Sequence, residues 1–165
     1  MGLDNINYTS ANTITLNQSQ LQSGIYQAAQ RDNQSRSFNH SHTRGIAEDK
    51  GESARGSLGE VAAHVKWNLP FEYSINKWSS PDLITPKGKQ VDIKTEINSH
   101  TLYISPRHLH PDWYYFHVYQ IDQYTYAFIG WIKGDKVSQY PLKDIGKRGS
   151  LVFCVPASAL SQKFN

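Results

Sequence analysis

Two aspartates and a lysine stand where local turn chemistry brings them together. Residues 78–96 read WSSPDLITPKGKQVDIKTE. Pro86 and Gly88 split two short runs containing β-branched residues, Asp82-Leu-Ile-Thr and Gln-Val-Asp-Ile-Lys-Thr, which is the pattern of a β-hairpin. A three-residue loop over 86–88 sets Asp82 directly opposite Asp92, with Cβ atoms about 5 Å apart. A two-residue loop would instead move the pairing by one. Strand alternation gives Asp92 and Lys94 one face, and Val91 and Ile93 the other. Two carboxylates this close repel unless a proton or a cation comes between them. Hard oxygen donors suit Mg²⁺, which takes one or two carboxylates plus water or substrate phosphate. A lysine beside them can hold a phosphate, position a water or stabilise developing negative charge. The chemistry this favours is metal-assisted attack on a phosphodiester, with Mn²⁺ able to substitute for Mg²⁺.

Such a hairpin needs elements to hold it. Over residues 55–69, Leu58, Val61, Ala62, Val65 and Leu69 follow one apolar helical stripe, and Pro70 ends it. Glu60 lies beside that stripe, with His64 one turn on. Residues 71–78 alternate as a first strand. After Glu96, the one helical signal before the next strands is Ser105-Pro-Arg-His-Leu, with Ser105 as cap and Pro106 at the first helical position. Residues 113–133 hold two nearly all-apolar strands, 113–121 and 125–133, joined tightly at Asp122-Gln123. Such runs fit strands covered on both faces, and their aromatics read as core rather than as a base-stacking surface. Residues 133–136 read as a turn, 140–150 as a basic loop, 151–155 as a last strand and 156–160 as a short closing helix.

Pro81-Asp82, a short spacer and Asp92-Ile93-Lys94 resemble the signature of the PD-(D/E)XK nuclease superfamily. Gly59-Glu60-Val-Ala-Ala is similar to that superfamily's first helix, which often carries a metal-assisting glutamate. The resemblance covers about residues 55–133. It implies an α/β fold with a restriction-endonuclease-like core, a twisted mixed sheet flanked by helices. It further implies Mg²⁺-dependent endonucleolytic hydrolysis of DNA, with Asp82, Asp92, the Ile93 carbonyl and Glu60 as metal ligands. Lys94 would orient or activate the attacking water. The superfamily also has a second helix before its last core strand, matched here only by the weak signal at 105–109.

The chain has 165 residues, 38% hydrophobic and 19% charged, with a formal net charge of +3. That length suits one domain with a real core, and the mild basicity is compatible with nucleic acid. The single cysteine, Cys154, excludes an internal disulfide and points to a reducing compartment. It lies in an apolar run and reads as core. No stretch of ~18 apolar residues predicts a membrane span, and no signal peptide is read, so a cytoplasmic location is expected, a host's cytoplasm if phage-encoded. Residues 1–50 are rich in Asn, Gln, Ser and Thr. They read as a polar arm ahead of the 51–165 domain, with Leu21, Ile25, Ala28 and Ala29 marking a helix near 18–30; deletion of residues 1–44 is expected to leave a folded core with weaker assembly or DNA affinity. The expected DNA contacts are Arg36 and Arg44 of the arm, Lys87 and Lys89 of the turn, Arg107 and His108, and Lys147 and Arg148 of the basic loop. Cutting two strands with one site per chain predicts a homodimer or higher oligomer. Restriction or homing cleavage, junction resolution and repair or recombination compete as substrate readings. The rival from another class is a non-catalytic nucleic-acid-binding module with an aromatic-rich sheet.

Overall fold

The computed structural model describes Ile6 and residues 8–37, 46–71, 80–146 and 151–164, the side chains of 35–37 and 46–53 excepted. The elements are β1 Thr13–Thr15, α1 Gln18–Ser37, α2 Ile46–Lys66, β2 Leu83–Ile84, β3 Gln90–Glu96, β4 Leu102–Ile104, β5 Tyr114–Gln120, β6 Thr125–Lys133, α3 Gly134–Val137, β7 Leu142–Asp144 and β8 Leu151–Val155. Two short 3₁₀ turns, Pro106–His108 and Ala157–Ala159, complete them. A five-stranded mixed sheet has the order β1-β6-β5-β3-β2, and a three-stranded sheet the order β4-β8-β7. Among the described strands only β3 and β5 run parallel; every other pair is antiparallel.

Alternation along the strands sorts two cores onto the two faces of the large sheet. Val91, Ile93, Phe116, Val118, Tyr126 and Phe128 pack with Leu58, Val61 and Ala62 of α2 and with Leu16 and Leu21. Tyr115, Ala127 and Ile129 face the other way, against Leu102, Ile104, Phe153 and Val155 of the small sheet. Both faces of β5 and β6 are thus covered, which explains their almost unbroken apolar sequence. Cys154 is buried in β8 and free.

The approach of α2 to β3 is unusually close at one point. A methyl group on Gly59 would stand 1.8 Å from Thr95 Oγ1, so only glycine permits this docking. It brings the next residue, Glu60, beside the strand. The helix stops where the sequence predicts: Asn68 takes a positive φ of 52°, and Leu69 N donates to His64 O at 2.8 Å. Asn tolerates that left-handed C-terminal position, and Pro70 cannot continue the helix.

Three expectations are corrected. The division at residue 50 falls inside α2, because the helix extends back to Ile46. The N-terminal part is not an appended arm: α1 reaches Ser37, is packed along α2, and contributes Leu21 and Ala28 to the buried residues. Its start is fixed by a reciprocal cap, Gln20 N donating to Asn17 Oδ1 and Asn17 N to Gln20 Oε1, both at 2.9 Å. Between β3 and β5 the described chain holds β4 and the Pro106–His108 turn rather than a second α-helix; Ser105 does cap that turn, accepting from Arg107 N. Of the expected first strand, 71–78, residues 72–78 lie outside the described residues.

Because α1 belongs to the core, Leu21→Ala, at a side chain 3% exposed, should cost about 2–4 kcal/mol in denaturant unfolding. A loss below about 0.5 kcal/mol would return α1 to the status of a peripheral arm.

Candidate active site

The hairpin closes with the loop length that aligns the aspartates. Thr85 N donates to Lys89 O at 2.9 Å and Gly88 N to Thr85 O at 2.8 Å, leaving 86–88 as the three-residue loop. Gly88 supplies the φ of +77° that this turn requires. Leu83 pairs with Val91, so Asp82 comes next in line with Asp92. There β2 ends, and the side chain of Asp82 continues the ladder: its Oδ2 accepts from Ile93 N at 2.6 Å. A strand residue's N–H and C=O project to the same side, so the Ile93 carbonyl also faces this open edge of β3.

Asp92 is 9% exposed and lies 2.5 Å, Oδ2 to Nζ, from Lys94. Burial alone would lower the Lys94 pKa, but the charges of Asp92 and Asp82 and the bond to Asp92 push it above its ordinary value. Lys94 is therefore held as an ammonium. Asp82 goes the other way for a carboxylate. Burial first, then the charges of Glu60 and Asp92, push its pKa well above the ordinary value, against the pull of Lys94 and the Ile93 amide. The three carboxylates thus share one electrostatic environment across the hairpin and α2.

Glu60 arrives there already occupied. Arg31 of α1 donates to it with both terminal nitrogens, to Oε1 at 2.7 Å and to Oε2 at 2.9 Å. Gln27 Nε2 adds a third bond to Oε2 at 3.0 Å. Burial opposes the Arg31 charge, but Glu60 and then Asp82 raise its pKa. Among the described residues, no three His, Cys, Asp or Glu side chains converge closely enough to hold a metal ion. The donor set itself, hard carboxylate oxygens around a carboxyl whose charge is disfavoured, fits a divalent cation such as Mg²⁺. Asp82, Asp92 and the Ile93 carbonyl are the groups that would hold it.

The 3₁₀ turn of the crossover overlooks the same place. Burial, then the charge of Lys94, lowers the His108 pKa, and Tyr115, which pairs with Asp92, donates its hydroxyl to His108 O at 2.7 Å. Arg107 and Lys87 are exposed. Lys89 instead sits over the rings of Phe164 and Tyr114, at 4.5 and 5.3 Å, which anchors the turn to the sheet. The Arg36 side chain, Arg44, Lys147 and Arg148 lie outside what the structure describes.

Sequence reasoning missed the roles of Gln27 and Arg31, although their i, i+4 spacing beside the apolar residues of α1 was visible. It also missed His117. This side chain is fully buried, pairs across to Lys94, and has no well-formed hydrogen bond at either ring nitrogen. Burial pushes its pKa down to about 4, His100 adding to the drop and the backbone of Ser99 and Lys94 opposing it.

No family model, curated protein or solved structure matches this chain.

Two outcomes follow from the electrostatics. Asp82→Asn should stabilise the metal-free fold by about 1 kcal/mol, since the amide oxygen can still accept from Ile93 while the charge conflict disappears; a lower unfolding midpoint would mean that Asp82 is a stabilising charge. For His117, the folded pKa lies below the unfolded one, so its contribution is complete above about pH 6.5 and is lost as pH falls towards 4. That amounts to about 2–3 kcal/mol between pH 7 and pH 4.5. Denaturant unfolding at the two pH values should show this difference, and His117→Leu should remove it. An unchanged pH dependence in the variant would place the acid sensitivity elsewhere.

Proposed function

We propose that this chain is a Mg²⁺-dependent endodeoxyribonuclease built on a restriction-endonuclease-like core. The observation that carries the reading is the meeting of Asp82, Asp92 and Lys94 where the described β2–β3 pairing ends. Glu60 stands within electrostatic reach of Asp82. A parallel β3–β5 pair reached by a crossover that follows the motif strand also supports it.

In this reading Asp82, Asp92 and the Ile93 carbonyl hold the cation. Mg²⁺, when bound, polarises a phosphoryl oxygen and offsets the charge that develops on it. Lys94 stays protonated between its carboxylates. It therefore orients the attacking water and stabilises negative charge on the scissile phosphate, and it does not act as the base. Glu60, engaged by Arg31 and Gln27, acts by its charge near Asp82 rather than as a free ligand. His108 and Arg107 on the crossover, and Lys87 at the hairpin tip, are the basic groups placed to meet the DNA backbone. Cleavage of both strands would need two chains, and a homodimer follows. Among the described residues no helix is long and apolar enough to cross a membrane, and the setting we propose is the cytoplasm.

Supercoiled plasmid incubated with and without Mg²⁺ tests the function directly. Nicking should require the metal, Asp92→Asn should abolish it, and Lys94→Ala should lower the single-turnover rate about a hundredfold with little change in DNA affinity measured in Ca²⁺. A Lys94→Ala protein that loses affinity yet keeps its rate at saturating DNA would reduce Lys94 to a phosphate contact. Equal DNA binding in EDTA without any nicking would favour the non-catalytic binding module.

A further inference from the structure

We infer that Gln27 and Arg31 of α1 belong to the site as positioning residues that act through Glu60. Gln27 fixes where the carboxylate stands, and Arg31 sets how much negative charge it presents to a divalent cation. The inference rests on the nuclease reading for the role of Glu60, and it goes beyond it by adding a second helix to the site.

The geometry is that of a built contact. Gln27 is fully buried, and Glu60 is 5% exposed. Arg31 makes a bidentate fork on both carboxylate oxygens, the strongest pairing a carboxylate has with a side chain. A surface ion pair would need neither the fork nor a buried amide behind it. Nor does α1 lack other means of docking, because Leu21 and Ala28 already bury against the core. The polar trio therefore adds something that packing alone does not: it holds a charged group, in register, beside Asp82.

The two residues should have opposite effects. Removing the Arg31 charge makes the potential around Glu60 and Asp82 more negative, while Gln27 and the Gly59–Thr95 docking still hold Glu60 in place. A divalent cation is then attracted more strongly. Removing the Gln27 amide keeps all charges and loosens the Glu60 carboxylate, and loss of a hydrogen bond in the shell around a metal's ligands weakens affinity by up to about 10–100-fold.

Calorimetric titration of the full-length protein with Mn²⁺ alone, without DNA, reads both effects. Arg31→Met should tighten Mn²⁺ binding about tenfold, and Arg31→Lys should leave it within about threefold. Gln27→Leu should weaken it by about fivefold or more. In a Glu60→Gln background the effect of Arg31→Met should fall to less than half on a logarithmic scale, since most of the coupling runs through Glu60. If Arg31→Met does not fold, Arg31→Gln carries the same test. A purely structural role would lower thermal stability in these variants and leave the Mn²⁺ dissociation constant unchanged, which would overturn the inference. Mn²⁺ binding that weakens in Arg31→Met, or that is absent in both wild type and variant, would overturn it as well. The titration involves no cleavage. Plasmid nicking by the wild type decides the nuclease reading separately.

Discussion

A three-residue turn sets the phase of everything around it. Thr85 closes that turn from both sides, donating from its backbone to Lys89 O and accepting from Lys89 N with its own hydroxyl at 3.1 Å. Strand side chains alternate, so a slip of one residue would exchange every face. Asp92 and Lys94 would then turn towards α2, and Val91 and Ile93 towards the small sheet. Leu83, Val91 and Ile93 are all buried, and the apolar core thereby enforces the register that the charged residues need. The carboxylates contribute little to their own placement; buried aliphatic side chains on the opposite face hold them there.

An edge is the natural position for such groups in this molecule. Both faces of β5 and β6 are closed by packed side chains, and a charge put there would have no water and no partner. Beyond Leu83, the one neighbour on the outer side of β3 among the described residues is the side chain of Asp82. That leaves backbone polar groups and two carboxylates at a boundary between two cores, Asp92 buried and Asp82 partly so. Gly59 lets α2 come down on the same edge at Thr95, and α1, packed on α2, brings Arg31 and Gln27 within reach. Three elements distant in sequence thus meet because one strand ends early.

Local signals told most of what was readable in the chain. Pro86 and Gly88 define the hairpin, Asp122 ties the β5–β6 connection by accepting from the amides of Tyr124 and Thr125, and Ser105-Pro106 marks a capped turn. Each is a contact within a few residues, where turn chemistry decides conformation. What escaped was non-local. Glu60 meets Arg31 and Gln27 across 29 and 33 residues, and no spacing rule encodes that pairing. The small sheet escaped in part for a related reason: β4 and β7 have three residues each, too few to show a period, and the partner of β4, β8, is far along the chain. A helix near 18–30 was legible, but the polar composition of residues 1–50 hid its full length and its packing on α2, since its buried stripe is a few residues among glutamines and serines.

Charge balance gives the last step. The site gathers three carboxylates, Glu60, Asp82 and Asp92, and two fixed cations, Arg31 and Lys94. Arg31 is committed to Glu60 and Lys94 to Asp92, so the remaining negative charge falls on Asp82. His108 does not supply the missing cation, since burial and Lys94 both lower its pKa. Lys94 and the Ile93 amide offset that negative charge only in part, and Asp82 answers by holding a proton more readily than an ordinary aspartate. A fold selected for stability alone would relieve this with an asparagine, which could still accept from Ile93. Retaining a carboxylate here carries a cost in stability, and the proposed binding of a divalent cation, which would complete the set, gives that cost a purpose.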